Sequence, residues 1–209
     1  SRDYVLPGED TDAAVLIEDV FRREGMSILK NSRADKIEKT ATGVKVTLSD
    51  GKTLEGSHCL VAVGSIPNTE NIGLEEAGVE KAASGHIIAN RVARTSRANV
   101  YAVGDCTDFY PLASVASMQG RTAVFHTMGD VAAPTLKRNI ASNVFTSPEI
   151  ASVGWSESDI KAGLVNGQVE TIQLATNPRA KMTGVTDGFI KLFSSTGSGT
   201  CLLNTSDAA

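Results

Sequence analysis

Between residues 11 and 24 the apolar positions Ala14, Val15, Leu16, Ile17, Val20 and Phe21 are spread as on one side of a helix, and Gly25 stands where that helix would end. Residues 26–29 form a short apolar run and residues 34–39 a weaker one, and each predicts a strand. Val44, Val46 and Leu48 alternate with Lys45 and Thr47, and Asp50-Gly51 then leads into Thr53-Leu54-Glu55. This predicts a β-hairpin, because an Asp-Gly pair accepts the positive φ angles of a tight turn. Residues 58–63 run on without alternation and end at Gly64, the pattern of a strand covered on both faces.

Gly64-Ser65-Ile66-Pro67-Asn68-Thr69 then breaks the pattern and predicts a crossing between domains. Residues 87–89 and 100–103 read as strands, and Gly104-Asp105 terminates the second. Residues 113–128 read as a helix ending at Gly129, and Pro134 marks the next boundary. Strands follow at 144–145, 150–153, 169–174 and 189–193, with a short helix at 157–162 before Gly163. No internal repeat is visible. The order is an α/β piece, a second α/β piece and an incomplete α+β piece, which alone supports a nucleotide-binding α/β enzyme.

Composition narrows the class. The 209 residues suit one to two domains. With 41% hydrophobic and 21% charged residues the chain is an ordinary globular protein, not a disordered or collagen-like one. A net charge of -4 argues against nucleic acid or an acidic membrane surface as partner. No apolar run approaches the ~20 residues that span a bilayer. The chain opens on Ser1 without an initiator Met or signal peptide, so it is expected to begin inside a longer protein. Cys59, Cys106 and Cys201 are odd in number and far apart, which predicts reduced thiols and a cytoplasmic location. His58, His86 and His126 carry no supporting motif, and no grouping has zinc spacing. Neither a catalytic residue nor a metal site is assigned.

Four segments carry a resemblance. They are Ala62-Val63-Gly64-Ser65-Ile66-Pro67-Asn68-Thr69, Thr95 with Val100-Tyr101-Ala102-Val103-Gly104-Asp105, the stretch from Val144-Phe145-Thr146-Ser147-Pro148-Glu149 to Gly154, and Asn177-Pro178-Arg179-Ala180. In this order they resemble the flavoprotein pyridine nucleotide–disulfide oxidoreductases, the family of dihydrolipoamide dehydrogenase and glutathione reductase. The last segment is similar to a loop of the family's dimerisation domain. The resemblance implies a fragment of FAD- and NAD(P)-binding Rossmann-like domains followed by a truncated α+β dimerisation domain. Residues 1–63 would be the C-terminal part of the NAD(P)-binding domain, 64–134 the returning segment of the FAD-binding domain and 135–209 the truncated dimerisation domain. Residues 200–209 do not read as the strands expected there, so a non-native tail is expected from residue 197 on.

The same resemblance assigns site residues. Asp105 follows an apolar strand at the carboxyl edge of a sheet, where ligands of open α/β folds bind, and Gly104 lets a ligand approach the backbone. In the family a carboxylate there accepts hydrogen bonds from the ribityl hydroxyls of FAD; the other reading is an Asp that caps a turn. Leu112, Ala113 and Ser114 would open a helix whose positive end faces the flavin's pyrimidine edge through backbone groups, or Ser114 would be a plain cap. Gly64 and Ala34 would contact NAD(P) through the backbone, or serve turns and packing. Ser65 stands where the family has Arg. Arg2 leans towards the 2′-phosphate of NADP, or is a solvated surface residue. The implied cofactors are FAD and NAD(P)H, and the implied partners are a second copy of the parent chain and a small-molecule electron acceptor. Ser65 and the stretch around Asn177 resemble a bacterial quinone-reducing branch. Authentic dihydrolipoamide dehydrogenase and a non-catalytic binding or dimerisation fragment stay open. The chain holds neither Gly-rich dinucleotide turn of the family, and by itself it is expected to be colourless and inactive.

Overall fold

The structure, a computed structural model, describes residues 2–208 and the side chains up to residue 202. It divides into two units, Ser1–Ala62 with Asn143–Ala209, and Val63–Ser142.

In the first unit, helix α1 (Thr11–Arg23) buries Ala13, Ala14, Ile17 and Val20 along one stripe. Asp12 in the first turn and Arg22 and Arg23 in the last complement its dipole. Gly25, at φ +94°, ends it. Its N–H donates to Arg22 O at 3.0 Å and the Met26 N–H to Phe21 O at 2.9 Å, which occupies the carbonyls that a helix end leaves open. Strands β1 (Ala34–Lys39), β2 (Val44–Leu48) and β3 (Thr53–Gly56) form an antiparallel sheet in that order. The β2–β3 turn needs only one positive φ, +83° at Gly51, rather than two. Gly51 N–H donates to Leu48 O at 2.9 Å and Leu48 N–H to Lys52 O at 2.8 Å, a three-residue loop with a bulge at the glycine. Asp50 contributes through its side chain, whose Oδ1 accepts the Lys52 N–H at 3.0 Å.

The same unit holds a five-stranded sheet. Its strands are β4 (Ser142–Val144), β5 (Glu149–Gly154), β6 (Gly167–Gln173), β7 (Phe189–Ser195) and β8 (Cys201–Ala208), in the order β4-β5-β8-β7-β6. Helices α3 (Glu157–Lys161) and α4 (Pro178–Met182) lie between strands in sequence. Ala13 and Ile17 of α1 form one core cluster with Ile150 and Phe189. On β7 the buried positions are Phe189, Lys191 and Phe193. Lys191 is only 2% exposed, and its ammonium pairs with Asp10 at 3.4 Å, Glu157 at 2.8 Å and also Asp12. Burial disfavours this charge, but the Asp12 and Glu157 carboxylates outweigh it and hold the Lys191 pKa above its ordinary value. Asp10, Asp12 and Glu157 converge as metal ligands would, and the ammonium sits among them.

The second unit has a small core of Val79, Ile87 and Ala102. Its helix α2 (Ala113–Thr127) ends through Met128 at Gly129, φ +74°. Among the described residues no helix is long and apolar enough to cross a membrane.

Several expectations are corrected. Residues 26–29 and 58–63 are not strands, and Leu60 and Val63 are 89% and 92% exposed. An apolar run becomes a strand only where neighbouring strands take its N–H and C=O groups, and among the described residues none pairs with these. Residues 87–89 and 100–103 make isolated bridges, Ile87 with Lys81 and Thr107, Ala89 with Thr95, and Tyr101 with Arg94. Each bridges a different short loop, so no ladder propagates. Residues 177–180 open helix α4 instead of a loop, because Asn177 accepts the Arg179 and Ala180 N–H groups and Pro178 is preset for the first helical position. Residues 200–209 were expected to form no strand. Instead β8 lies between β5 and β7, which supply ladder partners on both sides. Ser1 and Ala209 lie outside the described residues.

Candidate functional site

The candidate site is assembled in the second unit, around a single turn of 3-10 helix at Gly104–Cys106. The chain arrives through residues held by short loops: Ala102 N–H donates to Ala93 O at 2.9 Å, and Ile87 N–H to Cys106 O at 2.8 Å. Gly104 is buried, with φ +78°. A Cβ there would lie 3.2 Å from the Ala116 Cβ on α2, so both conformation and space favour glycine. Thr107 closes the turn twice, its N–H donating to Gly104 O at 2.9 Å and its hydroxyl to the same oxygen at 2.8 Å. Gly104 N–H donates in turn to Gln119 Oε1 at 2.8 Å, and Gln119 Nε2 to Thr107 Oγ1 at 3.5 Å.

Asp105 is exposed at the tip of this turn. Thr107 and Gln119 do the tying, and among the described residues no hydrogen bond or ion pair to the Asp105 carboxylate is found. It therefore caps nothing. Leu112 precedes α2 in extended conformation, and no side chain caps that end, Ser114 included. The first turn of α2 carries no acidic residue, so no side chain of that turn offsets its positive end. Gly104, Asp105, Leu112, Ala113 and Ser114 thus share one unit, and the turn packs on the helix they lead into.

The remaining assigned residues are placed differently. Gly64 has φ +119° and open space around its α-carbon, at the start of the second unit. Ala34 and Arg2 belong to the first unit. Ala34 opens β1 opposite Leu48. Arg2 is exposed beside a cavity of about 220 Å³ that Tyr4 and Thr11 also line, and its carbonyl accepts the Asn31 N–H at 3.1 Å. The segment after Arg2 is held on α1 by buried Glu18, which accepts the Val5 N–H at 3.0 Å and pairs with Lys30 at 2.7 Å and Arg22 at 3.2 Å. Burial pushes the Glu18 carboxyl up, but the hydrogen bonds from Lys30 and Val5 outweigh it and hold the pKa below the ordinary glutamate value.

Gln119 and Thr107 are functional candidates that sequence reasoning missed. The signal was present: Gln119 lies between Val115 and Ala123 at a spacing of four, a polar residue in the buried stripe of α2. His126, which carries no supporting motif, shares a hydrogen bond of 2.7 Å with the Tyr101 hydroxyl through Nδ1. No disulfide joins the three cysteines.

Known proteins resemble this chain in sequence and in fold. The family model described as pyridine nucleotide-disulphide oxidoreductase matches residues 1–120, and the model of that family's dimerisation domain matches residues 140–202. An NAD(P)H dehydrogenase (quinone) of Mycobacterium tuberculosis is 47% identical over 193 residues, which is 92% of this chain and 39% of that protein. A dihydrolipoyl dehydrogenase of Bacillus subtilis is 34% identical over 194 residues, 91% of this chain and 41% of that protein. The crystal structure of LpdA from Mycobacterium tuberculosis superposes with a TM-score of 0.94 at 44% identity, covering 99% of this chain and 45% of that one. The chain therefore spans well under half the length of the curated relatives it matches. Since the first family model alone covers more than half of the residues, the chain belongs to the pyridine nucleotide-disulphide oxidoreductase family.

Proposed function

We propose that the complete protein carrying this chain is an FAD-dependent enzyme that oxidises NAD(P)H and passes the electrons to a quinone. The observation that carries this reading is the Asp105 carboxylate, exposed and without a partner among the described residues at the tip of a turn that packs on α2, a helix whose start no side chain caps. These residues fit FAD. Asp105 offers only acceptors to hydroxyls. Gly104 keeps side-chain bulk away from the turn. The N–H groups of Ala113 and Ser114, at the positive end of α2, suit a group that gains negative charge. FAD, when bound, would supply the two-electron chemistry between the nicotinamide and the acceptor. The protein's part is to hold and orient the cofactor and to stabilise charge.

On this reading residues 1–63 belong to the NAD(P)-binding domain, and Arg2, Ala34 and Gly64 are the residues assigned to the nucleotide. Residues 64–134 belong to the FAD-binding domain and 135–209 to the dimerisation domain. The match to the dimerisation-domain model supports a homodimer of the complete protein. A quinone as acceptor is supported by the name of the 47% identical relative. The scattered cysteines support a cytoplasmic location. The test is stopped-flow absorbance on the complete protein. NADH or NADPH is expected to bleach the flavin band, and a small quinone to restore it. Absence of bleaching with both donors would overturn the reading, and recovery with oxidised lipoamide but not with quinone would overturn the acceptor.

A further inference from the structure

We infer that Gln119 is a positioning residue that fixes the Asp105 carboxylate relative to the start of α2, with Thr107 as its partner. The inference rests on the reading of Asp105 as an FAD ligand. Gln119 is 6% exposed, in a stripe otherwise made of Val115 and Ala123. An amide in such a stripe is costly unless both its ends are bonded, and an apolar side chain would fill the space without that cost. Both ends are used here on the same turn: Oε1 accepts the Gly104 N–H at 2.8 Å, and Nε2 donates to Thr107 Oγ1 at 3.5 Å.

Gly104 is the residue in the turn with the widest backbone freedom, and it stands directly before Asp105. Its N–H belongs to the peptide plane before it and its C=O to the plane that leads into Asp105. Thr107 holds the second plane through its hydroxyl and N–H, at 2.8 and 2.9 Å. For the first plane, Gln119 accepts the Gly104 N–H from the second turn of α2. The Gln119 amide thereby locks the turn to the same helix whose N-terminus forms the other half of the proposed site. Thr107 receives the Gln119 Nε2–H, which leaves its own proton for Gly104 O. The direction of the whole chain of donors thus depends on Gln119 being an amide.

The test is the FAD dissociation constant of the complete protein, measured by flavin fluorescence between pH 5 and pH 9, with far-UV circular dichroism recording the folded fraction. In Gln119→Glu the protonated carboxyl reproduces both roles, acceptor and donor. The ionised form loses the donor and draws the Thr107 proton away from Gly104 O. Burial in the apolar stripe disfavours the charged form and raises the carboxyl's pKa, so the variant is expected to bind FAD progressively more weakly from the acid to the alkaline end, up to about tenfold, the loss of about one hydrogen bond. The wild type is expected to show no such trend. Thr107→Val is expected to weaken binding and Thr107→Ser to restore it, and this pair carries the test if Gln119→Glu does not fold. Wild-type affinity in Gln119→Glu at every pH, or in Thr107→Val, overturns the inference. Asp105→Ala separates the two failures: weakened binding there with Gln119→Glu unaffected refutes the role of Gln119 alone, whereas unchanged binding in Asp105→Ala refutes the FAD reading beneath it.

Discussion

Glu18 is a buried carboxylate with two cations and a backbone N–H on it, and its effect on stability depends on pH. Because the folded pKa lies below the unfolded one, the protein gains stability from Glu18 at any pH above the unfolded value of about 4.3. That gain is lost as pH falls from there through the folded pKa. Glu18→Gln keeps an acceptor for Val5 but leaves Lys30 and Arg22 without their anion. It is expected to lower unfolding free energy at pH 7 by about 1–3 kcal/mol, the usual range for breaking a buried charged hydrogen bond. Denaturant unfolding of wild type and variant at pH 7 and at pH 3 checks the sign: the difference is expected to shrink at pH 3, and a larger difference there would contradict the account. The residue scale is also where the sequence was least legible. Lys191 occupies a core-facing place on β7 between Phe189 and Phe193, and only the packing of Asp10, Asp12 and Glu157 around it explains that. Those acids are between 34 and 181 residues away in sequence.

Among the elements, those stabilised by local signals were read closely. Helix α1 with its Gly25 end, helix α2 with its Gly129 end and the hairpin through Asp50-Gly51 each depend on residues a few positions apart. Residues 58–63 were read as a strand from apolarity alone, which cannot reveal whether neighbours exist to take the backbone groups. Strand β8 was missed for the converse reason: its place is set by β5 and β7 on either side rather than by an alternating pattern of its own. Helix α4 shows what a local signal is worth when it is recognised. Asn177 Oδ1 accepts the N–H of Arg179 at 2.9 Å and of Ala180 at 3.1 Å, and Pro178 follows it. Asn177→Ala is expected to destabilise the protein by about 1 kcal/mol and Asn177→Asp to be tolerated, as thermal unfolding would show. Equal losses in the two variants would mean that the cap does not stabilise this five-residue helix.

At the scale of the whole molecule, the family was legible because its motifs are short, ordered and placed at turns, where glycine and proline leave a mark on sequence. The turn at Gly104-Asp105 was legible for the same reason. The buried pair that ties Gly104 was not, since Gln119 lies 15 residues beyond Gly104 and reaches back through packing. The central claim is that this turn and the start of α2 hold FAD in the complete protein. Its most direct test is the FAD dissociation constant of Asp105→Ala measured beside the wild type. Removing one charge-assisted hydrogen bond is expected to raise that constant about tenfold to a hundredfold without unfolding the protein. An unchanged constant in a folded Asp105→Ala variant would contradict the account.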